Sequence, residues 1–313
     1  MFQGMEYVYA VYKARSFSKA AKELFISQPS LSASIKRIEN KIGYPVFDRS
    51  TKPLQLTEYG EAYIRAVEQM TMIKNEFSNY INDLGELKAG CLTIGGTSLF
   101  ASLVLPTFLA EFGRTFPMIK VDLMEETTAT LDKMVRNGEV DLVLDNCILD
   151  EEIFEWKPLR EEHLLLAVPE QFTINEKLKA YQISPEVIRR GEHLREEIKE
   201  VDLKEFQGQP FVLLKKENDT RMRANHICQM QQFEPQIMLE VDQQMTAYNI
   251  SNSGMAISFV SDTLAMRVPK HSGVVYYKIS TEDNSREVHF YWKKGRYISR
   301  AMEEFLKIEK NGF

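Results

Sequence analysis

The sequence of 313 residues has only three cysteines, and Cys91, Cys147 and Cys228 lie far apart. Without a CxxC pair or an even-numbered set, this spacing predicts neither a disulfide framework nor a structural zinc site. It is typical of a protein of the reducing cytoplasm. No run of about 18 apolar residues occurs, so no membrane-spanning helix is expected. The first residues lack a basic stretch followed by an apolar core, and no secretory signal is predicted.

Patterns typical of enzymes and metal sites are also missing. The sequence has no GxSxG, no Walker-type loop and no HExxH. Acidic pairs such as Glu125-Glu126 are more typical of solvated or helix-capping positions than of catalytic ones. Five scattered histidines form no metal-ligand motif: His163, His193, His226, His271 and His289. We therefore expect a protein that is not an enzyme and has no metal or cofactor.

The net charge of −6 is unevenly distributed along a chain whose composition is otherwise that of an ordinary globular protein. Residues 1–58 carry nine basic and five acidic side chains, a charge of +4, which leaves −10 for the rest of the chain. The length allows two or three domains. A basic segment joined to an acidic body indicates a nucleic-acid-binding module attached to a different kind of domain.

The first 43 residues have the pattern of three helices. Ser18 is expected to cap a short second helix, and Ser27 a third helix that ends at Gly43. The tight connection and the small residues Ala20 and Ala21 favour two closely crossing helices, a helix-turn-helix. The first helix is predicted from an apolar stripe at Met5, Val8, Tyr9 and Tyr12.

The polar side of the third helix and the segment after it suit DNA. Two short extended pieces around the basic tip at residues 50–53 predict a wing. Short polar side chains at a helix N-terminus suit base edges in a major groove, and flanking cations suit phosphates. The predicted DNA-binding residues are Ser27, Gln28, Pro29, Ser30, Ser32, Ala33, Lys36, Arg37, Arg49 and Lys52.

The string SFSKAAKELFISQPSLSASIKRIENKIGYPVFDRSTKPLQLTEYG resembles the DNA-binding segment of the LysR-type transcriptional regulators. The similarity includes the Ser-Phe opening, the paired alanines, Ser-Gln-Pro, Leu-Ser, Ile-Glu, Gly-x-Pro-Val-Phe-x-Arg and Leu-Thr-x-x-Gly. Ala33 departs from the family, which usually has a basic residue there, so one contact is absent or supplied by Lys36. The alternative, a purely structural three-helix domain, fits this set of motifs poorly.

The resemblance implies an α/β protein with an N-terminal winged helix-turn-helix and a long linker helix. It also implies a two-lobed, doubly wound effector-binding domain that resembles periplasmic binding proteins. Expected partners are double-stranded DNA, a small-molecule effector and further copies of the chain in a dimer or tetramer, with RNA polymerase left open.

The segment after residue 58 is predicted to be the linker and dimerisation helix, at 59–88. Apolar residues follow heptad spacing, whereas a helix packed on its own domain is the alternative. The predicted dimerisation residues are Tyr63, Ala66, Met70, Ile73, Phe77, Tyr80 and Leu84.

The remaining residues alternate between strand and helix patterns, which predicts parallel pairing in two α/β lobes. We place the first lobe at about 89–162 and 265–313 and the second at about 163–264. Within the second lobe, residues 172–201 contain a charged insertion. We expect it to be helical and to extend over the surface, with a role in subunit contacts as the alternative.

Effector contacts are predicted where strands end in polar residues. Gly95-Gly96-Thr97-Ser98 joins a strand to a helix and suits an anion, because free N–H groups and hydroxyls converge there. Each position also fits a simple cap or turn. The predicted effector-binding residues are Thr97, Ser98, Thr127, Thr128, Asn146, Thr220, Asp242 and Gln244. The alternative is a ligand-independent regulator or one that senses redox state through Cys147 and Cys228.

Overall fold

A computed structural model describes residues 2–84, 90–216, 218–268, 273–279 and 284–308. The chain divides into two compact units, Met1–Ile81 with Asn137–Glu139 and Asn82–Arg136 with Val140–Phe313. The predicted end of the linker helix, at 85–88, and His271 lie outside the described residues.

The first unit has the predicted helix-turn-helix followed by a small wing. Ser27 caps the third helix as predicted, whereas the cap of the second helix is Ser16 and not Ser18. The wing strands pair antiparallel, with Phe47 opposite Leu56. The elements are α1 (Met5–Ala14), α2 (Phe17–Glu23), α3 (Gln28–Ile42), β1 (Phe47–Asp48), β2 (Gln55–Leu56) and α4 (Glu58–Leu84).

Small side chains bring α2 and α3 together, as their sequence predicts. Ala20 is fully buried and Ala21 is 3% exposed, and both pack in one core with Leu31 and Ile35 of α3. Gly43 ends α3 with φ at +89°, a left-handed conformation that favours glycine. The local sequence therefore determines both the packing and the end of this helix.

The second unit contains the remaining strands and helices of the described residues. A five-residue π-helix, Phe100–Val104, precedes α5, so the helix is irregular next to Pro106. The elements are β3 (Gly90–Gly96), α5 (Leu105–Thr115), β4 (Ile119–Glu125), α6 (Thr128–Arg136), β5 (Leu142–Asp145), β6 (Phe154–Pro169), α7 (Ile174–Lys177), β7 (Gln182–Ile183), α8 (Pro185–Arg189), β8 (Pro210–Leu214), α9 (Asp219–Met230), β9 (Gln236–Val241), α10 (Gln244–Asn252), β10 (Ile257–Ser261), α11 (Asp262–Arg267), β11 (Val274–Lys278), β12 (Ser285–Lys293) and α12 (Arg300–Lys307).

Two lobes share the long strand β6. In the first lobe the strand order is β4-β3-β5-β12-β6, and in the second β6 continues beside β10, followed by β8 and β9. Within each lobe three strands run parallel, while β6 and β12 run antiparallel to their neighbours. The sheets are therefore mixed and not wholly parallel, and β6 crosses between the lobes at His163 and Leu164.

Two expectations about the second lobe were wrong. Strand β11 pairs with Leu165–Pro169 of β6 and with β7, so it belongs to the second sheet and not to the first lobe. The insertion forms the short helices α7 and α8, as expected, but it does not simply extend over the surface: it supplies β7 and buries Ile183, Ile188 and His193 at 4% exposure or less. Its apolar residues alternate with charged ones, which allows a charged segment to pack as part of the lobe.

Candidate DNA interface and effector site

The recognition helix α3 presents its predicted DNA contacts on one exposed surface. Leu31, Ile35 and Ile38 face the core and are at most 4% exposed. On the solvent side Ser32 is half-buried, and the other predicted residues of this helix and its cap are exposed: Ser27, Gln28, Pro29, Ser30, Ala33, Lys36 and Arg37. An exposed polar N-terminal turn is the part of a recognition helix that contacts base edges.

Hydrogen bonds at this turn give its polar residues different roles. The Ser27 hydroxyl accepts from the backbone N–H of Ser30 at 3.2 Å and lies 2.7 Å from the Ser30 hydroxyl. Ser27 therefore stabilises the start of the helix. Gln28 carries the exposed amide that suits a bidentate contact with adenine, and the Ala33 methyl suits a thymine methyl group.

The wing holds its predicted cations in different ways. Lys52 is exposed at the tip. The Arg49 guanidinium donates to Glu39 Oε2 at 3.1 Å and lies 5.1 Å from the centre of the Phe17 ring. Arg49 is thus fixed on the protein by an ion pair and a cation–π contact, while its side chain keeps 46% exposure.

The base of the wing is held between α3 and α4. The backbone N–H of Val46 donates to Glu39 Oε1 at 2.9 Å, and the Val46 carbonyl accepts from the N–H of Thr57 at 3.0 Å. A Cβ atom on Gly60 would lie 2.0 Å from that carbonyl, so only glycine fits there. The separate motifs containing Glu39, Phe47, Thr57 and Gly60 therefore meet at one place. Sequence reasoning did not include Glu39 among the site residues, although its position in the motif was the available signal.

The predicted dimerisation residues on α4 fall into two groups. Tyr63 is 6% exposed and packs in the core of the first unit, where its ring stacks on Phe2. Its place in the heptad pattern therefore reflects packing within the unit, and Ala66 is half-buried. The later members are exposed apolar side chains: Met70 39%, Ile73 61%, Phe77 63%, Tyr80 48% and Leu84 69%. Ile81, which sequence reasoning missed, is also exposed.

In the first lobe the predicted effector residues lie where strands end. Thr97 and Ser98 are half-buried between β3 and the helix that follows. The two glycines before them are explained by packing, because a Cβ on Gly95 would lie 2.6 Å from Leu131 and one on Gly96 2.9 Å from Leu105. Exposed Thr127 accepts from the N–H of Thr130 at 3.3 Å, the bond of a helix cap.

Next to this turn, Thr128 and Asn146 are joined to buried carboxylates. Thr128 donates to Asp145 Oδ2 at 2.8 Å, and the Asn146 amide donates to Glu162 Oε1 at 2.8 Å. Burial raises the pKa of Asp145 to about 6, although the bonds from Thr128 and the Asn146 backbone oppose the shift. Sequence reasoning missed both carboxylates, because Asp145 ends an apolar strand pattern and Glu162 stands just before one.

In the second lobe the predicted residues have structural partners. Gln244 is buried, accepts from the Ser261 hydroxyl at 2.9 Å and donates to the Thr220 hydroxyl at 3.3 Å. The structure therefore brings Thr220 and Gln244 together and joins them to the end of β10. Asp242 is 68% exposed and forms an ion pair with Lys215 at 2.7 Å.

Buried polar contacts join the lobes where β6 crosses between them. Asn284, which precedes β12, bonds both the N–H and the carbonyl of Leu164, at 2.8 and 2.9 Å. Arg223 of α9 lies 3.5 Å from Glu162 of β6 and donates to the Asn284 carbonyl. Burial raises the pKa of Glu162, and the charge of Arg223 opposes this. No local pattern in the sequence indicates such a contact, because its residues come from distant segments.

A second polar cluster surrounds Asp262 at the start of α11. Its Oδ2 atom lies 2.8 Å from Arg160 and 3.1 Å from His193 of the insertion. Burial alone would raise the pKa of Asp262, but the bonds from His163 and His193 and the charge of Arg160 hold it well below its usual range. The insertion thereby contributes a buried group to the crossover.

Cysteines and metal ligands give no additional site in the described ranges. Burial raises the pKa of the Cys147 thiol and raises that of Cys228 to about 12, so both remain protonated near neutral pH. Among the residues with described positions, no group of three or more His, Cys, Asp and Glu side chains is arranged to hold a metal ion. Nor does any described helix have the length and apolar character to cross a membrane.

Two family models match the two parts of the chain. Residues 2–61 match the model of the bacterial regulatory helix-turn-helix protein, lysR family, and residues 85–311 match the LysR substrate binding domain. The HTH-type transcriptional regulators YybE and YcgK of Bacillus subtilis are 27% and 28% identical. The YybE match covers 97% of this chain and 96% of YybE, and the YcgK match covers 98% and 93%.

Solved structures share the fold. A full-length OxyR variant from Pseudomonas aeruginosa aligns with a TM-score of 0.65 at 21% identity, covering 96% of this chain and 91% of OxyR. Full-length CbnR in complex with its target DNA aligns with a TM-score of 0.64 at 18% identity, covering 98% and 97%. From the two family matches, which together span most of its length, the chain belongs to the LysR family: it is a DNA-binding transcriptional regulator with an effector-binding domain.

Proposed function

We propose that this regulator binds a specific DNA site as a dimer or tetramer, and that a small molecule held between its lobes changes that binding. The observation that carries the proposal is the exposed polar start of α3, with Gln28 at its first position and cations beside it on the helix and the wing. Gln28 and Ala33 read bases in this proposal, whereas Lys36, Arg37, Arg49 and Lys52 contact phosphates.

The exposed part of α4 supports self-association. Met70, Ile73, Phe77 and Leu84 are large apolar side chains at heptad spacing that the described part of their own unit does not cover. A second copy of the same helix would bury them and place two recognition helices on one DNA duplex. Two such helices favour a site with dyad symmetry.

Two of the outer strands of the second unit, β4 and β9, offer a further contact between copies. Strands β4 and β9 lie at opposite ends of the strand order, so each has a free edge among the described strands. Exposed apolar residues occur at both ends, on or next to these strands: Met118, Leu123, Ile237, Met238 and Leu239. Two copies can pair so that β4 of each copy lies against β9 of the other, which covers both free edges at once. Combined with the α4 contact, this second contact between copies supports a tetramer.

The strand ends beside the crossover support a small-molecule site. Thr97, Ser98, Thr128, Asn146 and Thr220 lie at strand ends or helix starts, and Asn146 donates to Glu162, whose contact with Arg223 joins the lobes. Ligands of open α/β sheets bind at this edge. A ligand that binds one arrangement of the lobes more tightly than another would shift DNA binding by that difference in affinity. Thiol-based sensing has less physical support, because burial keeps Cys147 and Cys228 protonated.

The experiment that tests the DNA reading uses duplexes selected by the protein from a random library, with random duplexes as the reference. We expect Gln28→Ala to reduce the preference for the selected duplex and Lys36→Ala, its matched control, to weaken binding to both duplexes alike. Fluorescence anisotropy measures both affinities. Equal losses on both duplexes for both variants would contradict the division into base and phosphate contacts. A thermal-shift screen against metabolites then tests the effector site.

A further inference from the structure

We infer that Glu39 is a positioning residue for DNA binding: it sets the place of the wing and of Arg49 without contacting DNA itself. The inference rests on the proposed DNA interface and adds to it a residue of the opposite charge. Glu39 lies on α3, well beyond the first turn, and its side chain is only 11% exposed. An acidic side chain in a DNA-binding unit needs a physical reason, because it repels phosphate.

The contacts of Glu39 reach the wing backbone first. Its Oε1 atom accepts from the N–H of Val46 at 2.9 Å and from the N–H of Phe47 at 3.4 Å. These two residues form the entry to the wing, and Phe47 pairs with Leu56 of the opposite wing strand. One carboxylate oxygen therefore ties the recognition helix to the first wing strand.

The other oxygen fixes a side chain of the wing. Glu39 Oε2 accepts from the Arg49 guanidinium at 3.1 Å, and the same guanidinium lies over the ring of Phe17, at 5.1 Å. Phe17 in turn contacts the ring of Phe47 edge-on at 5.6 Å between centroids. A planar guanidinium held on one edge loses little further freedom when its remaining donors bind a phosphate.

The positioning role and simple electrostatics predict opposite changes in DNA affinity when Glu39 is replaced. Replacing Glu39 removes a negative charge from the DNA-binding unit, and on charge alone Glu39→Gln binds DNA more tightly. If Glu39 positions the wing, the same variant binds more weakly, because the amide that replaces Oε2 donates and no longer accepts from Arg49. Gln keeps one acceptor oxygen for Val46, which favours retention of the fold.

The test measures the affinity of the full-length protein for its selected duplex and for a random duplex by anisotropy. We expect Glu39→Gln to raise Kd by up to about tenfold on both, because an Arg49 side chain that is no longer held must be immobilised when it binds phosphate. The matched control is Glu23→Gln, which removes an exposed carboxylate at the end of α2 and should bind as tightly as the wild type or more tightly. The melting temperature of each variant by circular dichroism establishes that it is folded.

A double-mutant cycle with Arg49→Ala separates positioning from an independent effect. If Glu39 acts through Arg49, the double variant loses little more affinity than Arg49→Ala alone. Glu39→Gln binding at least as tightly as the wild type, or losses that add fully in the double variant, would overturn the inference. A wild-type protein that binds neither duplex would instead refute the proposed DNA interface, so the two failures are distinguishable.

Discussion

Removing the Arg223 side chain charge should destabilise the effector domain far more than removing an exposed cation does. Arg223 and Glu162 are each 1% exposed, and their charged groups lie 3.5 Å apart where β6 passes between the lobes. Arg223→Met leaves Glu162 buried without its charged partner, a change that typically costs about 3–5 kcal/mol. The matched control is Lys215→Met, whose partner Asp242 is 68% exposed. Such surface pairs contribute about 0–1 kcal/mol.

The assay is urea unfolding followed by tryptophan fluorescence. Both tryptophans, Trp156 and Trp292, lie on adjacent strands of the first lobe, so the signal reports the second unit alone. The free energy of unfolding at zero urea gives the loss for each variant. A double variant, Arg223→Met with Glu162→Gln, should recover much of the stability, because no unpaired charge remains buried.

The loss should also depend on pH, with a sign that the burial of Glu162 determines. Burial already raises the pKa of Glu162, and without Arg223 the pKa rises further. A carboxyl group whose folded pKa exceeds its unfolded value stabilises the fold below the unfolded pKa, and this contribution is lost as pH rises through the folded pKa. Arg223→Met should therefore lose more stability at pH 8 than at pH 5. Losses equal to those of Lys215→Met, or independent of pH, would refute the role of this pair.

Two further predictions concern self-association and pH. Phe77→Glu places a charge among the exposed apolar residues of α4. The mass measured by light scattering should fall from that of a dimer or tetramer to that of a smaller species, and DNA binding should weaken. Ser78→Glu, at an adjacent exposed position, should leave the mass unchanged. If Phe77→Glu keeps the wild-type mass, the α4 contact is not the dimer interface. Asp145 has a pKa raised to about 6 by burial, so it stabilises the fold below its unfolded pKa and that contribution is lost as pH rises through about 6. Asp145→Asn should reduce the pH dependence of the free energy of unfolding, which amounts to about 3 kcal/mol at most. Urea unfolding at pH 4.5 and at pH 8 measures this dependence. If the variant shows the same dependence as the wild type, Asp145 is not a buried group that titrates in this range.

The DNA-binding unit could be predicted from the sequence because its determinants are local. The caps, the alanines of the helix contact and Gly43 each act within a few residues of their position. Even there, the α2 cap was misplaced by two residues, because Ser16 and Ser18 are both good caps and tertiary packing selects between them. Tyr63 fits a heptad and also a core position, and spacing alone does not separate the two.

The effector domain could be predicted only in outline. The alternation of strands and helices gave the two lobes, but β11 pairs with β6 across a hundred residues, and no local pattern encodes that choice. The polar groups at the crossover have the same difficulty. Asp145 ends an apolar strand and Glu162 stands just before the apolar stretch of β6, so both look like ordinary boundary residues, and only the fold brings Glu162 to Arg223. Threonines at strand ends are easier to identify from the sequence as candidate effector contacts. Gln244 shows, however, that a polar residue at such a strand end can stabilise the fold and need not contact an effector.

The salt dependence of DNA binding should follow the number of side chains that contact phosphate, and not the net charge of +4 of the first 58 residues. Each protomer offers four predicted phosphate contacts, Lys36, Arg37, Arg49 and Lys52, while the nearby Glu39 is bound to the wing and 11% exposed. Counterion release from eight contacts in a dimer predicts that the logarithm of the association constant falls by about 7 per tenfold increase in salt. If the logarithm of the association constant falls only about half as steeply with salt, four of the eight contacts are missing: either one protomer does not contact DNA, or the wing does not contact DNA in either protomer. Measuring the slope for Phe77→Glu and for Arg49→Ala separates these cases, since the first removes a protomer and the second a single contact from each.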